Sequence, residues 1–250
     1  MSTKVSYIEL TPQEFRVRLA AAPIAYLPFG TLEWHGEHLP LGADGLQSIH
    51  LFEKLAERVG GIVLPMLFVG PDLKVEKNGR ELYGMDVGSQ RPAGLEYPDQ
   101  QLPGSLYHVS NDLFDALLRA VLKQAARAGF KMVVAHGHGP SGRHFIQNFD
   151  EWKRDFGLEC FHCWEWVEEG DVPLSYQTGH AGVNETSILM AARPDLVQLE
   201  RLPVSRDKFP LGTGPDDARD ATKKQGQEII DHQLERMSDI LFEALKSCSS

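Results

Sequence analysis

Residues 24–44 read I-A-Y-L-P-F-G-T-L-E-W-H-G-E-H-L-P-L-G-A-D. The apolar run Ile24–Phe29 has the character of a buried strand in a layered α/β protein. The segment it feeds, Thr31 to Asp44, carries five groups able to bind a metal or move a proton: Glu33, His35, Glu37, His38 and Asp44. If the extended chain continues past the strand, Glu33 and His35 project to the same side. His38-Leu39-Pro40-Leu41-Gly42 then turns the chain and delivers Asp44 to the head of a helical pattern. Carboxylate, imidazole and carboxylate converging at a strand end form a ligand set suited to Zn²⁺, Mn²⁺ or Fe²⁺. The competing reading of the same residues is a solvated loop beside a glycine-rich turn.

Outward from this stretch the sequence alternates between helical and strand patterns. Before it, Thr11 to Ala22 reads as a short helix with Thr at the N-cap and Pro at the first helical position. After it, Asp44 to Val59 sets Leu46, Ile49, Leu51, Phe52, Leu55 and Val59 on a helical stripe that Gly60-Gly61 stops. Gly61 to Gly70 predicts a second buried strand, with Pro65 marking a bulge or a sheet edge. From 71 to 105 the pattern fails, and this irregular stretch is expected to be an active-site border or a subunit-contact arm. Ser110 to Ala128 predicts an amphipathic helix capped by Ser110, ended by Gly129 and facing inward through Leu113, Leu117, Val121 and Ala125. Strand Phe130–Ala135, helix Gly142–Phe156 and strand Leu158–Val167 follow. Ala218 to Lys246 closes the chain as a long helix with Ile229, Ile230, Leu234, Met237, Ile240, Leu241 and Leu245 as its apolar positions. The alternation predicts one three-layer α/β/α sandwich over residues 1–250, with a mainly parallel sheet and no repeat or linker dividing it.

Composition narrows the function classes. A net charge of -10 leaves no basic patch to neutralise phosphates, which excludes nucleic acid and anionic membrane as partners. The start, M-S-T-K-V-S-Y-I-E-L, lacks the apolar core of a signal peptide, and no run has the length of a membrane span. Three cysteines, Cys160, Cys163 and Cys248, are sparse and odd in number, which points to a reducing, cytoplasmic setting. Cys160-x-x-Cys163 lies in a strand pattern and is read as packing, with the two thiols facing opposite ways.

Two further clusters sit where strand ends are expected. His136 and His138 follow the third strand, with His144 farther on, and T-G-H-A-G-V-N-E-T-S (178–187) offers His180 and Glu185 at a loop-to-helix junction. Sites in open α/β sheets form beyond the carboxyl ends of the strands, so three such clusters favour a metal site over solvated loops.

The stretches G-T-L-E-W-H-G-E-H-L-P-L-G-A-D, L-P-G-S (102–105), G-F-K-M-V-V-A-H-G-H-G and H-A-G-V-N-E-T-S, in this order, resemble the successive motifs of the creatininase family. The resemblance implies an α/β/α fold, two divalent ions per subunit (Zn, Mn or Fe), a homo-oligomer, commonly hexameric, and hydrolysis of small, cyclic amides. It places Glu33, His35, Asp44 and His138 on the family's metal ligands, with Asp44 bridging the ions. Glu185 is expected as a ligand or a site acid, and His180 as the proton donor to the leaving group. One place departs from the pattern: creatininases carry a Tyr-Glu pair directly after the histidine, where this chain has Gly139-Pro140. The departure argues against creatinine as substrate and leaves Glu185 to supply the missing ligand. Two other readings stand beside amide hydrolysis. One is hydrolytic C–C ring opening of an inositol-derived cyclic diketone at the same centre, with Lys74, Lys77, Arg80 and Arg91 greeting a hydroxylated or anionic substrate. The other is a metal-binding scaffold without activity.

Overall fold

The computed structural model describes residues 4–88, 97–163, 179–214 and 216–248. In chain order its elements are α1 (Pro12–Ala21), β1 (Ile24–Phe29), α2 (Ala43–Arg58), β2 (Ile62–Val63), β3 (Lys74–Lys77) and β4 (Arg80–Tyr83). There follow α3 (Asn111–Ala128), β5 (Met132–Gly137), α4 (Gly139–Gln147), α5 (Phe149–Phe156), β6 (Glu159–His162), α6 (Val183–Ala192) and α7 (Lys223–Cys248). Short 3₁₀ turns join several of them.

The main sheet has the order β2-β1-β5-β6 and is parallel throughout. β1 is buried at all six positions, as a central strand covered on both faces must be. Its register against β5 runs from Ile24 opposite Met132 to Phe29 opposite Gly137. The two-residue alternation of a strand divides its side chains between two cores. Ile24 and Tyr26 pack with Leu51, Phe52 and Leu55 of α2 and with Met237 and Leu241 of α7. Ala25, Leu27 and Phe29 face the other way, onto Phe114, Leu118 and Leu122 of α3, Phe145 of α4 and Trp152 of α5. These are the three layers that the sequence predicts. The cysteines follow the same division: Cys160 lies in the second core and Cys163 in the first, both unpaired.

Helix ends match their chemistry. Thr11 and Glu14 form a reciprocal capping box at α1, and Ser110 Oγ accepts from Leu113 N at α3. The apolar positions of α7 also hold, with Ile229, Ile230, Met237 and Leu241 buried and Leu234, Ile240 and Leu245 packed at the margin.

Several boundaries differ from expectation. The second strand shortens to Ile62–Val63, and Leu67 and Gly70 make only isolated bridges to Phe29 and His108. Pro65 lies just beyond this edge strand. The stretch 71–105 is not wholly irregular, because β3 and β4 form an antiparallel hairpin turning at Asn78-Gly79; Arg91 lies outside the described residues. α3 turns Phe114, Leu118, Leu122 and Ala125 inward and leaves Leu113 57% exposed, since the helix carries two adjacent apolar stripes and the one bearing the aromatic ring takes the core. The helix expected over 142–156 is two helices, broken at Asn148, whose side-chain amide donates to the His144 carbonyl (2.8 Å). The strand expected from Leu158 to Val167 is seen as Glu159–His162, and residues 164–167 lie outside the described residues. No described helix is long and apolar enough to cross a membrane.

Candidate metal centre

The connection after β1 leads to β2 on one side and the connection after β5 leads to β6 on the other, so the carboxyl ends of β1 and β5 form a topological switch point. Three helices begin there: α2 with Asp44 in its first turn, α4 directly after His138, and α6 with Glu185 in its first turn. Helix N-termini favour negative charge, which suits them to hold a cluster of carboxylates away from water. Gly137 joins β5 to His138 with φ of +125°, and a Cβ there would lie 1.8 Å from the Phe29 carbonyl oxygen. Only glycine permits the two strand ends to approach so closely.

The segment after β1 does not remain a strand. It stops pairing at Phe29 apart from one bridge between Leu32 and Leu106. It is held instead by backbone bonds from Glu33 N to Leu41 O (3.0 Å), Gly36 N to Gly212 O (2.8 Å) and Gln198 N to His38 O (2.9 Å).

Even so, Glu33, His35, Asp44 and Glu185 fall within sets of converging donors, and His138 reaches them through Glu33 alone. His35, fully buried, donates from Nδ1 to the Glu33 carbonyl (3.2 Å), which turns Nε2 toward Asp44 Oδ1 (3.4 Å) and Glu185 Oε2 (3.7 Å). His138 is oriented in the same manner. Its Nδ1 lies 2.9 Å from Ser141 Oγ and 3.3 Å from Thr31 Oγ1, and its Nε2 faces Glu33 Oε1 at 3.6 Å. Glu185 Oε2 accepts from Ala181 N (2.6 Å). His180 donates from Nε2 to the Trp34 carbonyl, its Nδ1 lies 3.8 Å from Glu33 Oε1, and its ring sits 4.2 Å from that of His35. Two sets of three ligand atoms within 4.8 Å of one another result: His35, Asp44, Glu185 and Glu33, His35, His180.

The residues fit divalent cations. His35 Nε2 and Asp44 Oδ2 are buried and make no hydrogen bond, a costly state for polar atoms unless a ligand completes them. Each of the imidazoles His35, His138 and His180 has one nitrogen fixed by a backbone or hydroxyl partner, the arrangement that can present the other to a metal.

Burial and mutual proximity shift the ionisation of these groups. Burial pushes the Glu33 carboxyl well above its ordinary range and the Glu185 carboxyl up to about 7. Burial opposes a charge on His35, but the carboxylates of Asp44, Glu185 and Glu33 outweigh it and push its pKa up to about 10. Burial likewise opposes the Asp44 carboxylate, yet the His35 charge holds it down at about 2. His180 is pulled down to about 3 by desolvation, helped by the His35 charge, so its imidazole is neutral near pH 7.

Other singled-out residues stand outside the centre. Glu37 is exposed. His38 is buried but braces α6 through Thr186 Oγ1 (2.9 Å). His136 lies behind the site, donating to Ser48 Oγ (2.8 Å), which in turn donates to the Asp44 carbonyl (2.7 Å). His144 pairs with Asp115 (2.9 Å) on the α3 side. Sequence reasoning missed Asp72 and His108, which gather with Glu33 into a third set of donors at the rim. It also missed Thr31 and Ser141, which hold His138. These residues come from stretches without periodicity or are common hydroxyl types, so nothing in the sequence distinguished them.

A protein-family model described as Creatininase, creatinine amidohydrolase, matches residues 8–241. The chain belongs to the creatininase family. Creatinine amidohydrolase of Pseudomonas putida is 25% identical over 274 residues, covering 97% of this chain and 98% of its own. Two solved creatininase structures share the fold. A mutant creatininase of Zn-Zn type has a TM-score of 0.74 and 23% identity, over 97% of this chain and 99% of that one. A creatininase with Mn has a TM-score of 0.72 and 22% identity, over 96% and 98%. The fold and the family expected from the motifs are thus both borne out, and creatininases are metal-dependent hydrolases of C–N bonds.

Proposed function

We propose that this creatininase-family protein is a hydrolase that cleaves a C–N bond of a small, cyclic amide-type substrate. Its centre would be two divalent cations held by Glu33, His35, Asp44, His138 and Glu185. The observation that carries this reading is the buried, unbonded His35 Nε2 facing two carboxylates while its Nδ1 is tied to the backbone. Cations bound there would supply an acidified water and a polarised carbonyl.

The chain's own groups supply the rest. Asp44 lies 3.4 Å from His35 Nε2 and within electrostatic reach of His138 and His180, which suits it to bridge. Gly139-Pro140 offers no carboxylate, and Glu185, which lines the same cavity, would supply one. His180 is neutral with Nε2–H engaged, so Nδ1 is free to take a proton from the attacking water and return it to the leaving nitrogen. The sequence predicts His180 as the proton donor to the leaving group; neutral near pH 7, it would first accept the proton it later gives.

The test is a panel of lactams, cyclic ureas, formamides and cyclic diketones assayed with added Mn²⁺ or Zn²⁺. Turnover of a cyclic amide is expected. Turnover of diketones alone would move the assignment to C–C cleavage, and a metal-loaded protein inert toward every member would favour a scaffold. Creatinine should be turned over little or not at all, because the Tyr-Glu pair is missing; a rate of about 1–10³ s⁻¹ on creatinine would overturn this.

Cation affinity should depend on pH. Glu185 and His35 hold protons in the metal-free protein up to about pH 7 and pH 10, so a cation must displace them. Affinity should therefore rise from pH 6 to pH 8, by roughly tenfold per unit for each proton displaced. Titration calorimetry in buffers of different ionisation enthalpy reads both affinity and proton release, and a pH-independent affinity would remove these two residues from the ligand set.

The protein is expected to be cytoplasmic and to assemble beyond a dimer. Phe68 and Tyr107 stack edge-to-face at 4.9 Å while 44% and 47% exposed, and Leu106 and Leu113 are exposed as well. Apolar surface of this kind calls for a partner. A monomeric mass by light scattering would count against the assembly.

A further inference from the structure

Beside the carboxylates and imidazoles lies a cavity of about 440 Å³, a volume suited to a small molecule. Its described lining includes Glu33, Asp44, Asp72 and Glu185, and one permanent cation, Arg143. Arg143 is on α4, five residues after His138. Its guanidinium does not extend away from the site. Nη1 lies 3.5 Å from where a Cβ on Gly139 would stand, so the group folds back over the start of α4, beside the residue that follows His138.

The side chain is exposed, hydrated rather than paired within the described protein. The start of a helix carries partial positive charge and exposes amides without intrahelical acceptors, so a cation held over it is opposed. Asp72 lines the same cavity, yet Arg143 forms no ion pair and no hydrogen bond with it or with any described residue. A guanidinium in the cavity lining offers a planar fork of donors, able to bind a carboxylate through two parallel hydrogen bonds.

We propose that Arg143 is a specificity-determining residue that binds a carboxylate substituent of the substrate, so the substrate class is a small cyclic amide bearing a carboxylate. This rests on the hydrolase reading above and adds the charge of the substrate to it. A single negative charge matches the one guanidinium of the described lining.

The experiment compares two lactams differing by one carboxylate, 2-pyrrolidone and 5-oxoproline. Their binding to Mn²⁺-loaded protein is measured by calorimetry for the wild type, Arg143→Lys and Arg143→Met. The wild type should bind 5-oxoproline roughly tenfold more tightly than 2-pyrrolidone, the worth of one charge-assisted contact. Arg143→Lys should keep part of that preference, Arg143→Met should lose it, and the neutral lactam should bind all three proteins alike. Equal binding of both lactams by the wild type, or binding of neither, overturns the proposal. So does a preference that survives in Arg143→Met, which would mean that the cations hold the carboxylate. Because the side chain is exposed, both variants should fold, and unchanged melting temperatures check this. The binding comparison is independent of turnover. A panel without hydrolysis would sink the hydrolase reading while leaving the charge preference measurable.

Discussion

Asp44→Ala protein, purified without chelator, is expected to carry neither cation and to have no activity above background. The Asp44 carboxylate lies 3.4 Å from His35 Nε2 and within electrostatic reach of His138 and His180, the basis for proposing that it bridges the two sides. Its second oxygen is buried without a partner. Removing it leaves the set with His35 and Glu185 one carboxylate short and would deprive the pair of the group proposed to offset the repulsion between two dications. His35→Ala is the contrasting variant. It removes a nitrogen that both sets share, yet leaves Glu33 and His138 in place and should spare the cation beside them. Metal analysis of the two variants side by side decides the assignment. Undiminished metal in Asp44→Ala would show that it does not bridge.

The second large effect is expected at His180. His180→Ala should keep its cations and its fold yet lose roughly 10²–10⁴-fold in rate, the usual worth of a positioned acid or base. The loss should fall on kcat rather than KM, because the proton is needed only as the bond breaks. Loss of a cation with partial rescue by added Mn²⁺ would make His180 a ligand, in keeping with its place near Glu33 and His35. A lower melting temperature with normal turnover would make its role structural, through the bond to the Trp34 carbonyl.

How much of this could be read beforehand depends on the kind of signal. β1 and β5 announce themselves as unbroken apolar runs, because a parallel strand buried on both faces has no polar side to show. Glu33, His35, Asp44, His138 and Glu185 were legible because their residue types are rare together and each stands near a strand end or helix start. The face of α3 was not legible. Leu113, Leu117 and Val121 form as good a stripe as Phe114, Leu118 and Leu122, and only the volume of the core chooses between them. Nor was the break at Asn148, where a side-chain hydrogen bond competes with the helix. Arg143 reads as an ordinary solvated arginine until the fold turns its guanidinium over the cavity. Asp72 and His108 lie in a stretch whose conformation is set by tertiary contacts rather than by any local pattern.

The order of the main sheet has a consequence for how the chain reaches this structure. The chief partner of β1 is β5, whose residues 132–137 follow more than a hundred positions later, while β2 offers it only two residues. As synthesis proceeds, the most apolar strand of the molecule therefore waits for most of the chain before it can pair. Closing so long a loop loses entropy before any pairing restores free energy, and topologies dominated by such contacts fold slowly. An N-terminal portion ending before residue 137 holds Ile24 to Phe29 with one face of the sheet edge open, the condition in which strands find other chains. The same central strand that brings Glu33 and His138 together thus makes nascent protein dependent on being kept apart until β5 has emerged.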